Sequence, residues 1–153
     1  MKAFGIFLVV TLAISPLCNL YSQENAQDHS EPASFLIEAA VQNANREGKL
    51  VLLYFGAEEC VYCEQLSRVL GYEDIQTILD EHYEQVRIDV GHFDKNMDLF
   101  SLYSAKKGTG IPALVILGKN GTVKEAISGE EWGESDQEVY EFVRAFLEMT
   151  TRE

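Results

Sequence analysis

Cysteine is scarce in this chain, with three in 153 residues, at positions 18, 60 and 63. That excludes a small fold stapled by several disulfides. Histidine is equally scarce, and His29, His82 and His92 are scattered without the spacing of zinc ligands. Twelve basic residues face 25 acidic ones, a formal charge of −13. Such an excess argues against nucleic acid or an anionic membrane surface as partner and reads most simply as solubility. No phosphate loop, nucleotide fingerprint, Ser-His-Asp arrangement or internal repeat is present. Asp94-Lys95-Asn96-Met97-Asp98 mimics the start of a calcium loop, but Leu99 stands where the turn needs glycine. A helix cap is the simpler reading of that segment. The apolar run Phe4 to Ile14 is too short to read as a membrane span, and no other segment qualifies.

That run has another meaning. Lys2 precedes it, and small or polar residues from Asn19 to Gln23 follow it. This is the layout of a secretory signal peptide, expected over residues 1–22 with cleavage near Ser22. A polar linker with Pro32 fills residues 23–32, and one domain fills 33–153. The expected location is periplasmic or secreted. Lipid anchoring through Cys18 is the weaker alternative, because Leu17 precedes that cysteine where a small residue is usual.

Within the domain, Phe35, Ile37, Ala40, Val41 and Ala44 recur at helical spacing, and Gly48 marks a stop. Leu50 to Phe55 is continuously apolar, as in a strand buried on both faces. A helix is expected from about Cys60 to Leu70, ended by Gly71, then a short helix capped by Asp74. Val86, Ile88 and Val90 alternate with Arg87 and Asp89, the period of a strand. A further helix should follow Asp94. Ala113 to Leu117 is apolar throughout, and Asn120-Gly121 is a hairpin turn returning the chain through Val123 to Ile127. Ser135-Asp136-Gln137-Glu138 matches a capping box and opens a helix carrying Val139, Phe142, Val143, Phe146 and Leu147. The expected class is α/β, a central mixed sheet with helices on both faces. The early strands, joined by helical crossovers, should run parallel, with an antiparallel hairpin at the edge.

Cys60-Val61-Tyr62-Cys63 follows the first strand directly. Two cysteines three apart share one helical face. The loop between them is too small for bridging to remove much unfolded-state entropy, so exchange chemistry explains the pair better than stability. At a helix N-terminus, free N–H groups and the dipole favour the Cys60 thiolate, the species that attacks a disulfide. Glu58 and Glu59 would raise the thiol pKa if they approach it. They would tilt the pair toward reductant or isomerase behaviour.

Three segments together resemble the thioredoxin-like superfamily. They are Val51 to Cys63, with Gly56-Ala57-Glu58-Glu59 before the cysteines, then Gly110-Ile111-Pro112-Ala113-Leu114, and Gly121-Thr122-Val123 after the hairpin. Arg87-Ile88-Asp89-Val90-Gly91 and Lys107-Gly108-Thr109-Gly110-Ile111-Pro112 look most like small exported bacterial members. The resemblance implies a thioredoxin-like fold and a thiol–disulfide oxidoreductase with Cys60 as nucleophile and Cys63 as resolving thiol. It also implies a cis bond before Pro112, which would offer the Ile111 backbone to an extended client. Tyr62 is a further candidate for client contact. No cofactor or metal is implied beyond the Cys60–Cys63 disulfide. The partners expected are client proteins with thiols or disulfides and an upstream membrane or periplasmic thiol donor, and the protein itself is expected to be a monomer. Glu59 replaces the family's usual tryptophan, Tyr54 its buried aspartate, Gly56 another frequent aromatic, and Val61-Tyr62 the familiar Gly-Pro. A non-catalytic binding module with an inert disulfide, or a metal carrier completed by a second chain, are the alternatives.

Overall fold

The computed structural model describes residues 31–104, 110–129 and 132–151. The expected signal peptide, Cys18 and nearly all of the linker lie outside these residues. The elements in chain order are α1 (Ala33–Glu47), β1 (Leu50–Gly56), α2 (Val61–Leu70), α3 (Glu73–His82), β2 (Tyr83–Asp89), α4 (Met97–Ser104), β3 (Ala113–Leu117), β4 (Val123–Ser128) and α5 (Asp136–Thr151).

One four-stranded sheet orders them β2-β1-β3-β4. The two strands read as continuous apolar runs, β1 and β3, are the central ones. β3 is buried at all five positions and β1 at every position after Leu50. Leu52, Leu53 and Phe55 are at most 2% exposed, and each such side chain contributes about 1.5–3 kcal/mol of transfer free energy before entropy is counted. β2 lies at an edge, and its burial alternates from Val86 onward.

β1 and β2 run parallel, as expected of a helical crossover. β3 does not: it is antiparallel to β1 and to β4. The connection from β2 leaves and re-enters at one end of the sheet, since Phe55 is aligned with both Ile88 and Ala113. A connection that re-enters at the same end of the sheet it left must reverse the strand direction. The segment just before β3 is thereby set beside the segment just after β1.

Side-chain alternation along β1 separates two cores. Leu52 and Tyr54 pack with Leu66 and Val69 of α2, Ile75 and Leu79 of α3, and Val143 and Leu147 of α5. Val51, Leu53 and Phe55 pack on the other face with Ile37, Ala40 and Ala44 of α1 and Phe100 of α4. Gly48 ends α1 in the left-handed region, φ 74°, where glycine carries no Cβ penalty. Phe35, placed on the buried stripe by its spacing, is instead 59% exposed. It lies in the first turn of α1, where helical rotation has carried it off the face holding Ile37. Asp74 is not the cap of α3. Tyr72 holds that position, and Asp74 sits in the first turn beside Glu73, where its carboxylate accepts the Tyr140 hydroxyl. Ser135 and Glu138 form the expected box: the Glu138 N–H donates to the Ser135 hydroxyl at 3.3 Å, and the Ser135 N–H donates to the Glu138 carboxylate at 3.0 Å.

Candidate active site

β1 ends at Gly56, and a three-residue turn brings the chain to Cys60, the N-cap of α2. Its backbone is extended (φ −106°, ψ 107°) and its sulfur accepts the Cys63 N–H at 3.1 Å. The sulfur thus satisfies one orphan donor of the helix, as a serine oxygen would. A reduced Cys60 thiolate would keep that N–H and add the favourable field of the helix N-terminus. Cys60 and Cys63 are joined by a disulfide. Cys60 is partly exposed, whereas Cys63 is 1% exposed within the core shared with α5. Cys60 is thus open to solvent while Cys63 is enclosed by the core.

The reversal of β3 delivers Ile111 and Pro112 here. The Ile111–Pro112 bond is cis, and the Ile111 carbonyl oxygen lies 4.0 Å from the Cys60 sulfur. The Gly129 N–H donates to the Pro112 carbonyl at 2.8 Å and ties the segment to the end of β4. A Cβ on Gly129 would come within 3.1 Å of the proline ring, so a side chain there would have to push the ring back by a few tenths of an ångström.

Tyr54 holds Cys63 in place. Its hydroxyl donates to the Cys63 carbonyl at 2.8 Å, and the Ser67 hydroxyl donates to the same oxygen, also at 2.8 Å. Burial pushes the Tyr54 phenol above its ordinary pKa, so it remains a protonated donor at neutral pH. The Arg87 guanidinium sits over its ring at 5.3 Å. Tyr54 and Gly56 are two apart on one strand face, and a Cβ on Gly56 would stand 3.0 Å from the phenol oxygen. The two departures from the family pattern are therefore one packing arrangement: the ring occupies the space that a side chain at 56 would need.

Glu58 and Glu59 are exposed on the turn before Cys60. With Cys60 and Ile111 they line a groove of about 550 Å³ whose far wall is Asp89 and residues 91–95. Tyr62 projects from the first turn of α2, 59% exposed beside Val61 at 76%, and is not part of that groove. It does not pack on Tyr72 or Phe93, which pair instead with Tyr140 and Phe100. Trp132 is 5% exposed and meets Phe142 edge-on, so it closes the core. Spacing rules did not single out the Tyr54 hydroxyl or the wall at 91–95. The first was signalled only by a glycine two residues from a tyrosine. The second lies more than thirty residues from Cys60 and is joined to it solely by the pairing of β1 with β2. Among the described residues, no cluster of His, Cys, Asp or Glu could hold a metal ion, and no helix is long and apolar enough to cross a membrane.

Comparison with known proteins agrees with this geometry. Residues 33–119 match the family model described as thioredoxin-like. A disulphide isomerase from Xylella fastidiosa Temecula1 is 32% identical over 84% of this chain and 98% of its own, with a TM-score of 0.67. A thioredoxin from Thermus thermophilus is 20% identical over 74% of this chain and 82% of its own, TM-score 0.55. The C-terminal domain of Neisseria meningitidis DsbD in its reduced form is 20% identical over 72% and 95%, TM-score 0.50. These last two share the fold alone. A search of curated proteins found no match. The chain belongs to the thioredoxin-like family, and the Cys60–Cys63 pair at its helix mouth makes it a thiol–disulfide oxidoreductase of that family.

Proposed function

We propose that this protein works as a reductant or isomerase of client protein disulfides, in an exported compartment, recharged by an upstream membrane or periplasmic thiol donor. The observation that carries the exchange chemistry is the Cys60 sulfur, partly exposed and bonded to the Cys63 N–H at the start of α2. In the reduced form the Cys60 thiolate attacks one sulfur of a client disulfide. The client S–S bond breaks, its departing sulfur takes a proton, and a mixed disulfide forms. The Cys63 thiol then loses its proton and attacks the Cys60 sulfur. The Cys60–Cys63 disulfide closes and the second client sulfur leaves as a thiol. Two electrons and two protons pass to the client. If a different client thiol attacks the client sulfur of the mixed disulfide first, a new client disulfide forms, Cys60 leaves as the thiolate, and Cys63 is not consumed; the outcome is isomerisation. The 32%-identical relative is itself a disulphide isomerase.

Two carboxylates support the reducing direction. Glu58 and Glu59 share a groove with Cys60, and nearby negative charge disfavours the thiolate. A less stable thiolate makes the disulfide less oxidising. About 30 mV accompanies each 1.4 kcal/mol for this two-electron couple. Ile111 and Pro112 offer the client backbone an edge, and Tyr62 offers an apolar surface.

Insulin reduction with a thiol donor tests this, comparing wild type with Cys60→Ser. Turnover should depend on Cys60, and Cys63→Ala should accumulate mixed disulfides. Equal rates for wild type and Cys60→Ser would reject exchange at this site. An equilibrium potential near that of the strongest periplasmic oxidants, about −120 mV, would reject the direction.

A further inference from the structure

The groove beside Cys60 has a wall that the exchange step does not use. Asp89, His92, Phe93, Asp94 and Lys95 face Glu58 and Glu59 across it. Four carboxylates meet one lysine in this lining. Lys95 is bonded to Asp89 at 3.1 Å, and the other Asp89 oxygen accepts the Gly91 N–H at 2.9 Å. One Asp94 oxygen accepts the His92 N–H at 2.9 Å. Glu59 lies 3.8 Å from His92, a contact that is ionic only when the imidazole is protonated. Glu58 has no hydrogen-bond or ionic partner among the described residues. The wall is pre-formed: the Asp94 and Lys95 N–H groups both donate to the Val90 carbonyl, and the Asn96 amide donates to the Asp89 carbonyl at 2.8 Å. Gly91 is left-handed at φ 54°, and a Cβ there would collide with the Asp94 carboxylate. Phe93, also left-handed at φ 63°, is 48% exposed with only its inner side set edge-on to Phe100. An exposed ring among surplus carboxylates is the environment that holds a Lys or Arg side chain, through ring face and charge together.

We infer that this groove selects clients by a cationic side chain. A Lys or Arg close in sequence to the client's reacting cysteine sits between the Phe93 ring and the carboxylates of Glu58, Glu59 and Asp94 while Cys60 attacks. The inference rests on the exchange chemistry of Cys60 and adds the class of client. Cys60 and Ile111 line the same groove, so a segment docked along Ile111 brings its flanking residues to this wall. The chain's net charge of −13 acts in the same direction at long range.

The test uses the reduced full-length protein and two cyclic disulfide peptides that differ only in flanking Lys-Lys or Glu-Glu. Hydroxyethyl disulfide serves as an uncharged substrate. Each peptide is also reduced by dithiothreitol, and the ratio of its rates with protein and with dithiothreitol removes the peptide's intrinsic reactivity. The corrected second-order rate should favour the Lys peptide by about 10-fold or more at low salt, within the span of electrostatic steering. It should shrink as the Debye length shortens. In Asp94→Asn/Phe93→Leu the preference should fall toward unity, with each protein normalised to its own rate on hydroxyethyl disulfide. If that variant does not fold, Glu58→Gln/Glu59→Gln, on the exposed turn opposite the wall, takes its place in the same comparison. Reactivity with hydroxyethyl disulfide but no salt-sensitive preference in wild type overturns the inference and leaves exchange standing. So does a preference that the folded variant retains in full. No Cys60-dependent reaction with hydroxyethyl disulfide overturns exchange and this inference together.

Discussion

Gly56→Ala is the most direct probe of how Cys63 is held. Gly56 is in a strand with no left-handed requirement, so the backbone itself accepts alanine. What resists is the Tyr54 ring, whose Cε2 and hydroxyl oxygen would stand 3.0 Å from the new Cβ and whose Cζ would stand at 3.1 Å. The ring cannot yield freely, because its hydroxyl is bonded to the Cys63 carbonyl and the residue is 7% exposed in the core. Overpacking of this kind costs about 1–3 kcal/mol, partly offset by about 0.4–1 kcal/mol from the stiffer unfolded chain. The net expectation is a loss of roughly 1 kcal/mol, read as a lower urea midpoint of the oxidised protein. In a Tyr54→Ala background the obstacle is gone, and Gly56→Ala should become neutral or slightly stabilising. The coupling between the two changes should therefore be at least about 0.5 kcal/mol, as contacting residues show. An equal cost of Gly56→Ala in both backgrounds would refute the argument, since the ring would then not be what excludes a side chain at 56.

Two further expectations concern the rest of the domain. Ser135→Ala removes one half of the box that starts α5 and should cost about 0.5–2 kcal/mol, measured by urea denaturation; an unchanged midpoint would mean the box contributes nothing. Acid should weaken the fold. The Gly91 N–H, then Lys95, hold the Asp89 carboxyl below its ordinary pKa, and Ser135 does the same for Glu138. A carboxyl depressed in the folded state stabilises it fully above its unfolded pKa, about 4. That contribution disappears as pH falls through the lower folded value. Urea midpoints should hold steady from pH 7 to about 5 and then drop, less steeply in Asp89→Asn; a midpoint that rises on acidification contradicts this.

Much of the architecture could be read from the chain because it depends on local pattern. Continuous apolar runs marked β1 and β3 as central strands, since only a strand covered on both faces tolerates them. Alternation marked β2, a glycine marked the end of α1, and Ser135 with Glu138 marked the start of α5. The cysteine pair was legible for the same reason: three residues of spacing after a buried strand suffice to put both sulfurs at one helix mouth.

What depended on distant residues was not legible. The direction of β3 follows from where the connection of 23 residues between Asp89 and Ala113 leaves and re-enters the sheet, and helical pattern carries no information about that. The exposure of Tyr62 and Phe35 depends on which surfaces neighbouring elements cover, and spacing alone put Phe35 on the wrong side. The same holds for the wall from Gly91 to Lys95, which meets the cysteine turn only because β1 and β2 pair in register up to Gly56 and Asp89. Sequence alone determined which short segments become helix, strand and reactive turn, because their spacing is local. Tertiary structure alone decided which charges, rings and carbonyls surround Cys60, because long-range strand pairing brings them there.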